Sequence, residues 1–530
     1  MNKISQYILI ALLAVGLFSC KDWMNAEPEG STKTESQIQE ASTANPNAEK
    51  GSVAAIYSQM IQCFAGLGDL GYDQHNDFGY SSVCLVLETY GQDFIGDDIG
   101  YNWFSDSDYA MNRDNTLSSN PGLIAHMIWN NYYKIIYACN NVIGAADREN
   151  PGAMQTGLGQ ALAVRAFCYM QLMQLYAPAY DAATAAGTLC VPMVVDHMPA
   201  ERLLNNPRAS LASLDSLVTN DLNEAIRLLE GFVPENTGYV SEAVAYGLRA
   251  RYSLLKHDGA QAVSDARKAL VISGATPLTI EEAGVPGFCN AGEHNVLWAN
   301  ILTENNDVVQ TAIINWESHL GSFYTDGYTA VGAYRMISSA LYNQVGKTDV
   351  RRGWWLDGNG KSPLVAGNYS KWLNYVVNTP GQYVNVKFGT KDNSVTGMAG
   401  AASDWILMRA EEMYLIIAEG LAMDGGDAQG ELENFVRSYR DPGYKVTTSI
   451  EDAIWIQRRI ELWGEGYSFF DILRLHKPII RTNSSNWSAK WGAQDIPADH
   501  GCLLLRIPEN EIEANQGLTA ADAPYVAAPI

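Results

Sequence analysis

Aromatic side chains set among amides and carboxylates are the residues of this chain best suited to chemistry, and that chemistry is the recognition of a sugar. A sugar ring has a face of polarised C–H groups that packs on a flat π surface, while its hydroxyls need amide and carboxylate partners. The chain carries 13 Trp and 28 Tyr. Five Trp (Trp298, Trp316, Trp354, Trp355 and Trp372) and seven Tyr fall within residues 298–388. The run Asp97-Asp98-Ile99-Gly100-Tyr101-Asn102-Trp103 puts the required mixture on one Gly-bearing loop. The candidate ligand-binding residues are therefore Tyr101, Asn102, Trp103, Trp298, Trp316 and Trp354. Trp129, Trp405, Trp455 and Trp463 lie in helical patterns and are assigned to the core. Trp354 and Trp355 are adjacent, so on a strand they would point oppositely and at most one would meet a ligand.

Other chemistries are poorly supported. Glu461 and Glu465 stand four apart and resemble an acid/base pair, but Arg458, Arg459 and Arg474 are close in sequence. Such neighbours hold both carboxylates ionised, which suits a buried ion-pair network and not proton transfer. Gly66-Leu67-Gly68-Asp69-Leu70-Gly71 has the glycine spacing of a dinucleotide loop, yet it follows a helical pattern (Val53 to Phe64) instead of a strand, so it reads as a turn. The eight histidines are scattered, which leaves zinc unsupported. Asp357-x-Asn359 opens like a calcium loop, but Lys361 takes the next ligand position. Asp93, Asp97 and Asp98 read as a solvated loop before they read as a calcium site. No cofactor or metal is expected, and no Gly-x-Ser-x-Gly elbow occurs.

The elements that must hold these loops are helical. Ile128, Tyr132, Ile135, Cys139, Val142 and Ile143 step by threes and fours, as do Leu158, Leu162, Tyr169, Leu172, Met173 and Tyr176. Leu214, Leu217, Val218, Ala225 and Leu229 form another such stripe, and Leu407, Tyr414, Ile417, Ala418 and Leu421 a later one. Val244, Gly247, Leu248, Arg251 and Leu255 precede a second helix bearing Ala262, Ala266 and Ala269. Small residues seven apart let paired helices approach closely, so this unit is similar to a tetratricopeptide repeat, though irregular. Helical parts are expected at about 51–65, 123–275 and 403–475. Residues 66–122 and 276–402, rich in Gly, Asn, Asp and aromatics, are expected to be loops with short strands.

Bulk properties narrow the partners. With 35 Lys+Arg against 59 Asp+Glu the net charge is −24, which argues against nucleic acid and acidic polysaccharide. Composition is globular, 47% hydrophobic and 18% charged. Cys63, Cys84, Cys139, Cys168, Cys190, Cys289 and Cys502 lack any Cys-x-x-Cys pair and read mostly as small buried hydrophobes, with one disulfide still open. At the start, Met1-Asn2-Lys3 and the apolar run Ile8 to Phe18 form a secretory h-region too short to span a bilayer. Leu17-Phe18-Ser19-Cys20 resembles a bacterial lipobox, so residues 1–19 are expected to be removed, Cys20 to carry lipid, and residues 20–50 to form a tether.

The segment Gln457-Arg458-Arg459-Ile460-Glu461-Leu462-Trp463-Gly464-Glu465-Gly466, followed by Phe470-Asp471-Ile472-Leu473-Arg474, resembles the hallmark of the SusD/RagB family of outer-membrane nutrient-binding lipoproteins. Arg409-x-Glu411, Ala418-Glu419, Arg165-Ala166-Phe167-Cys168-Tyr169, the trio Trp129, Tyr133 and Asn140, and Leu505 to Ile512 resemble further family motifs in the right order. Departures are small: Gln457 where Glu is usual, Tyr467-Ser468 where His-Arg is common, Arg506 in place of Pro. The resemblance implies a mainly α, SusD-like fold over residues 51–530, with irregular tetratricopeptide-like helix pairs and a loop-rich ligand-binding portion with short strands. It also implies a non-enzymatic role: capture of an oligosaccharide at the cell surface and transfer to a SusC-like TonB-dependent transporter. Peptide or glycoprotein cargo is the alternative, and a surface glycoside hydrolase the more distant one.

Overall fold

The computed structural model describes residues 48–96, 101–105, 114–365, 381–487 and 494–529. Cys20, the tether before residue 48, Asp97, Asp98 and Trp372 lie outside the described residues.

The longer helices are α1 (Ala48–Gln59), α2 (Tyr80–Tyr90), α3 (Asn120–Ala145), α4 (Gln155–Tyr176), α5 (Leu211–Leu228), α6 (Glu242–Leu255), α7 (Gly259–Ser273), α8 (Ala410–Met423), α9 (Ala428–Tyr439), α10 (Ile450–Glu461) and α11 (Ser468–Arg474). Their starts are written in the sequence. Ser119, Ser210, Ser241, Asp258 and Ser449 each accept a backbone N–H two or three residues into the helix that follows, and Pro121 opens α3. Gly274, at φ +67°, closes α7 in the left-handed conformation glycine adopts without strain.

Helices pack as neighbours in the chain: α3 on α4, α4 on α5, α6 on α7, and α7 on α8 across a long loop. The α6–α7 pair matches expectation, with Ala262, Ala266 and Ala269 fully buried. At the α7–α8 crossing the backbones nearly touch. A Cβ on Gly259 would sit 2.4 Å from the Gly420 carbonyl oxygen, and one on Gly420 would sit 2.7 Å from that of Gly259. Only a residue without a side chain fits at either place.

Helix α2 corrects the expectation that 66–122 is loop. All of its residues are buried, including Ser81, Ser82, Glu88 and Thr89, so even the polar side of this short helix, set between Gly79 and Gly91, faces protein.

Short strands pair in twos, all antiparallel: β1 (Phe94–Gly96) with β5 (Arg335–Ile337), β2 (Leu189–Pro192) with β3 (Arg208–Ser210), and β4 (Val296–Asn300) with β6 (Trp405–Arg409). The fold is mainly α, as expected. One hydrophobic cluster runs from Val53 to Ala523 and includes side chains from α1 to α8 and from α10 and α11.

Beneath the loops lies the ion-pair network that the C-terminal motif predicts; Asp471–Arg474 is a local pair, three apart, but the pairs around Glu461 and Glu465 are tertiary. Glu461, at the end of α10, accepts from Arg409 (2.8 Å), Arg440 (2.8 Å) and Arg351 (3.0 Å), all essentially without solvent contact. Glu465 accepts from Arg409 and Lys387, and Asp471 from Arg458 and Arg474. Burial alone would raise the Glu461 pKa, but Arg440 and Arg409 hold it well below the usual carboxylate range. Burial likewise opposes ionisation of Glu465, and Arg409 and Lys387 outweigh it. Both carboxylates are therefore fixed acceptors.

Gly464 (φ +78°) and Gly466 (φ +90°) turn the chain between α10 and α11. A Cβ on Gly466 would lie 2.7 Å from Cβ and Sγ of Cys84 on α2. Gly466→Ala is therefore expected to destabilise the protein by about 1–3 kcal/mol, from backbone strain and overpacking together. Urea unfolding checks this; a midpoint equal to wild type would contradict the packing described.

Candidate functional site

The β1–β5 pair builds the site. Gly96, the last residue of β1, pairs with Arg335, the first of β5. The end of β1 thus stands beside the start of β5, and residues 101–105 lie against the segment that enters β5, through Tyr101 on Tyr328 and Asn102 on Arg335. A third loop, 71–77 before α2, completes the cluster.

Trp103 stacks on His75 (ring centroids 4.5 Å apart, planes 22° apart), and Tyr328 lies 6.2 Å from Trp103. Tyr101 stacks on Tyr328 at 6.4 Å and is 58% exposed, while Trp103, His75 and Tyr328 are half-buried. The Tyr328 hydroxyl is hydrogen-bonded to His75 Nδ1. Behind this shelf His319 stacks on Tyr328 (4.9 Å) and on Phe78 (5.3 Å), fully buried. The result is a stack of flat rings whose outer members meet solvent and whose inner members are core.

Polar contacts lock the shelf. Asn76 Nδ2 donates to the Trp103 carbonyl (3.0 Å), and His319 Nε2 donates to the His75 carbonyl (2.8 Å). Arg335, buried against the Phe104 ring, donates to Asn102 Oδ1 (2.8 Å) and to the His319 carbonyl (2.9 Å). Asn102 Oδ1 also takes the Phe104 N–H. Asn102 is 3% exposed, so it positions the loop and does not meet a ligand directly.

Of the six candidates, the structure brings Tyr101, Asn102 and Trp103 together at this shelf and places the other three elsewhere. Trp298, on β4, is buried edge-to-face with Phe167. Trp316 packs between Trp405 and Phe388, its indole N–H donating to the Ser403 carbonyl (2.8 Å). Trp354 packs on Phe288 and donates to the Ala283 carbonyl (2.8 Å). None of these three has solvent contact above 1%, so each is corrected from platform to core. Burial of Trp316 and Trp354 costs little because the rings are apolar and their indole N–H groups are satisfied; the Trp298 N–H has no partner among the described residues. Trp355 is equally buried, so neither of the adjacent pair faces outward. Trp455, assigned to the core, is only half-buried, beneath the cations of Arg459 and Lys477.

His75 and Tyr328 are the members that sequence reasoning missed. Each sits in a short polar run beside glycine (Gly71-Tyr72-Asp73-Gln74-His75 and Asp326-Gly327-Tyr328), the same composition that drew attention to Tyr101 and Trp103.

Among the described residues no group of His, Cys, Asp and Glu is arranged to hold a metal. Asp93 pairs with Arg459, and Asp357 accepts the backbone N–H groups of Asn359 and Lys361 as a turn cap. The seven described cysteines are all free thiols.

Burial, helped by the Arg335 charge, pushes the His319 pKa down to about 3. The unfolded chain therefore takes up this proton near pH 6.5, where the folded chain does not. Stability from this group is full above pH 6.5 and is lost as pH falls toward 3, at about 1.4 kcal/mol per unit. His319→Gln is expected to flatten the melting temperature between pH 6.5 and 4.5 relative to wild type; parallel profiles for the two proteins would contradict this.

Two family models cover most of the described chain. One, the SusD family, matches residues 322–523, and the other, described as starch-binding associating with outer membrane, matches residues 88–254. The chain belongs to the SusD/RagB family. Solved SusD-like structures share its fold. A SusD-like carbohydrate binding protein from Bacteroides vulgatus is 20% identical and covers 91% of this chain and 99% of its own, with a TM-score of 0.69. A SusD superfamily protein from Bacteroides thetaiotaomicron is also 20% identical, covers 90% and 99%, and has a TM-score of 0.66. A laminarin binding SusD-like protein is 16% identical, covers 88% and 97%, and has a TM-score of 0.60. No curated protein is similar enough in sequence to count as a relative.

Proposed function

We propose that this SusD-like chain is a cell-surface lipoprotein that binds a neutral oligosaccharide on the Tyr101–Trp103–His75–Tyr328 shelf. It then delivers that oligosaccharide to a SusC-like TonB-dependent transporter in the outer membrane. The observation that carries this reading is the shelf itself. Ring faces of several aromatic residues, fixed from behind by Arg335, Asn76 and His319, meet solvent on loops outside the helix pairs. Such a surface suits stacking of sugar C–H faces.

The relatives agree with this reading in kind: one family description speaks of starch and the outer membrane, and one solved SusD-like protein is named for laminarin. Among the described residues no helix is long and apolar enough to cross a membrane. Attachment through lipid on Cys20 supplies the membrane link this reading needs. Glu461 and Glu465 are held ionised and buried and are unsuited to acid/base work, which supports a binding role over hydrolysis by this pair.

Native electrophoresis through gels containing starch, laminarin or other neutral glycans tests the cargo class. Retardation in at least one gel is expected, with no new reducing ends on incubation. Free migration in every gel, with binding to peptides instead, would overturn the glycan assignment.

A further inference from the structure

A groove on the outer side of α1 is lined like a second ligand site. It consists of two adjoining hollows of about 250 and 390 Å³ that share Ala54, Ser58 and Ile61, within the usual span of ligand pockets, roughly 300–1,000 Å³ when taken together. The first hollow holds Tyr239, Asn236, Asn300 and Ser58, and the second continues past Gln62 and Asn306. None of these residues belongs to the aromatic shelf.

Three observations mark it as built for a ligand. Asn300, the last residue of β4, lines both this groove and a smaller hollow beside Trp316 and Trp405; it is 5% exposed, and among the described residues its amide Nδ2 has no hydrogen-bond partner. A buried amide donor left without any partner costs about 1–3 kcal/mol, so it is normally satisfied by protein, by water or by a bound polar group. Tyr239 is half-exposed, and its ring orientation is fixed by Tyr57, edge-on at 5.1 Å and 86°. Tyr57 is itself held by hydrogen bonds to Gln160 and the Val240 N–H. Finally, among the described residues neither hollow is lined by lysine or arginine, and the carboxylate there, Asp307, already accepts from the N–H groups of Cys63 and Val308.

The lining therefore offers neutral amides, a hydroxyl and one braced ring face. We infer that this groove is a second saccharide contact, taking an uncharged sugar unit with its ring face on Tyr239 and its hydroxyls on Asn236, Asn300 and Ser58. The inference borrows from the proposed function only the class of cargo, not the position of the first site.

Crystals of the soluble chain soaked with maltotriose and, separately, with laminaritriose test it. A sugar ring over Tyr239 within hydrogen-bond reach of Asn300 is expected in at least one soak. In solution, Tyr239→Ala and the exposed-site variant Asn236→Ala are expected to weaken binding of the matching polysaccharide three- to ten-fold, with trisaccharide binding at Trp103 unchanged. A groove empty in both soaks, or filled by the chain's own N-terminal residues or by a peptide, overturns the inference. So does polysaccharide affinity unchanged in both variants when the soak shows binding at crystal concentration only. Sugar at Trp103 with none at Tyr239 removes the groove alone; sugar at Tyr239 with none at Trp103 removes the first site and keeps the groove.

Discussion

Glu461→Ala is expected to lower the folding stability of this SusD-like chain by about 3–5 kcal/mol, the cost of leaving buried charges without their counter-ion. Glu461 is the shared acceptor of Arg351, Arg409 and Arg440, and none of the four is more than 1% exposed. Removing it leaves three guanidinium groups clustered without their shared acceptor, with Glu411, Glu465 and Asp349 the remaining acidic partners nearby. Domains are stable by only about 5–15 kcal/mol, so the variant should unfold at markedly lower urea or fail to accumulate in soluble form. Glu461→Gln should lie close to it, because an amide keeps the shape and loses the charge. The pH dependence follows in sign. The folded pKa lies below the unfolded value near 4.5, so this stabilisation is present above that pH and fades as acid protonates the carboxylate. Arg227→Ala, which breaks an exposed pair with Glu224, serves as the control and should leave the urea midpoint unchanged. If Glu461→Ala unfolds like that control, the network is not the keystone that its geometry indicates.

Trp103→Ala is expected to weaken glycan binding ten-fold or more, about 1.4 kcal/mol at the least, without changing the melting temperature by more than a few degrees. Trp103 is half-buried and its ring is the one His75 braces, so truncation removes the ring face and leaves His75 unsupported. Tyr101→Ala should have a smaller effect, because that ring is 58% exposed and, among the described residues, is held by its stack on Tyr328. Trp298→Ala makes the useful contrast. Its ring is fully buried against Phe167, so it should lose stability, by about 3–5 kcal/mol, and reduce binding only through unfolding. Titration calorimetry on the folded fraction separates the two behaviours. Equal binding by Trp103→Ala and wild type would remove the shelf as the site.

The contrast between Trp103 and Trp298 also shows what was legible before the structure. Amphipathic helices such as α3, α5 and α6 announce themselves over several turns; α2 is only 11 residues long between two glycines, and its few polar residues, Ser81, Ser82, Glu88 and Thr89, are themselves buried. The ion pairs around Glu461 were readable as a network, but their partners were not. Arg351, Arg409 and Arg440 come from distant segments, and spacing along one helix reports only local neighbours. The site shows the same limit. Tyr101, Asn102 and Trp103 came together because they are consecutive, whereas Tyr328 and His75 joined them only through the β1–β5 pairing and the turn before α2. Tryptophan content alone could not separate platform from core, since an indole with its N–H satisfied is as comfortable in the interior as at a binding face.

The most direct test of the ring-face grip is saturation-transfer NMR on the oligosaccharide of whichever glycan retards the protein, with the aromatic protons of the protein irradiated. The sugar C–H protons on one ring face should receive the strongest transfer in the wild type, and that facial pattern should vanish in Trp103→Ala. Transfer spread evenly around the ring, or a pattern identical in the two proteins, would contradict the account.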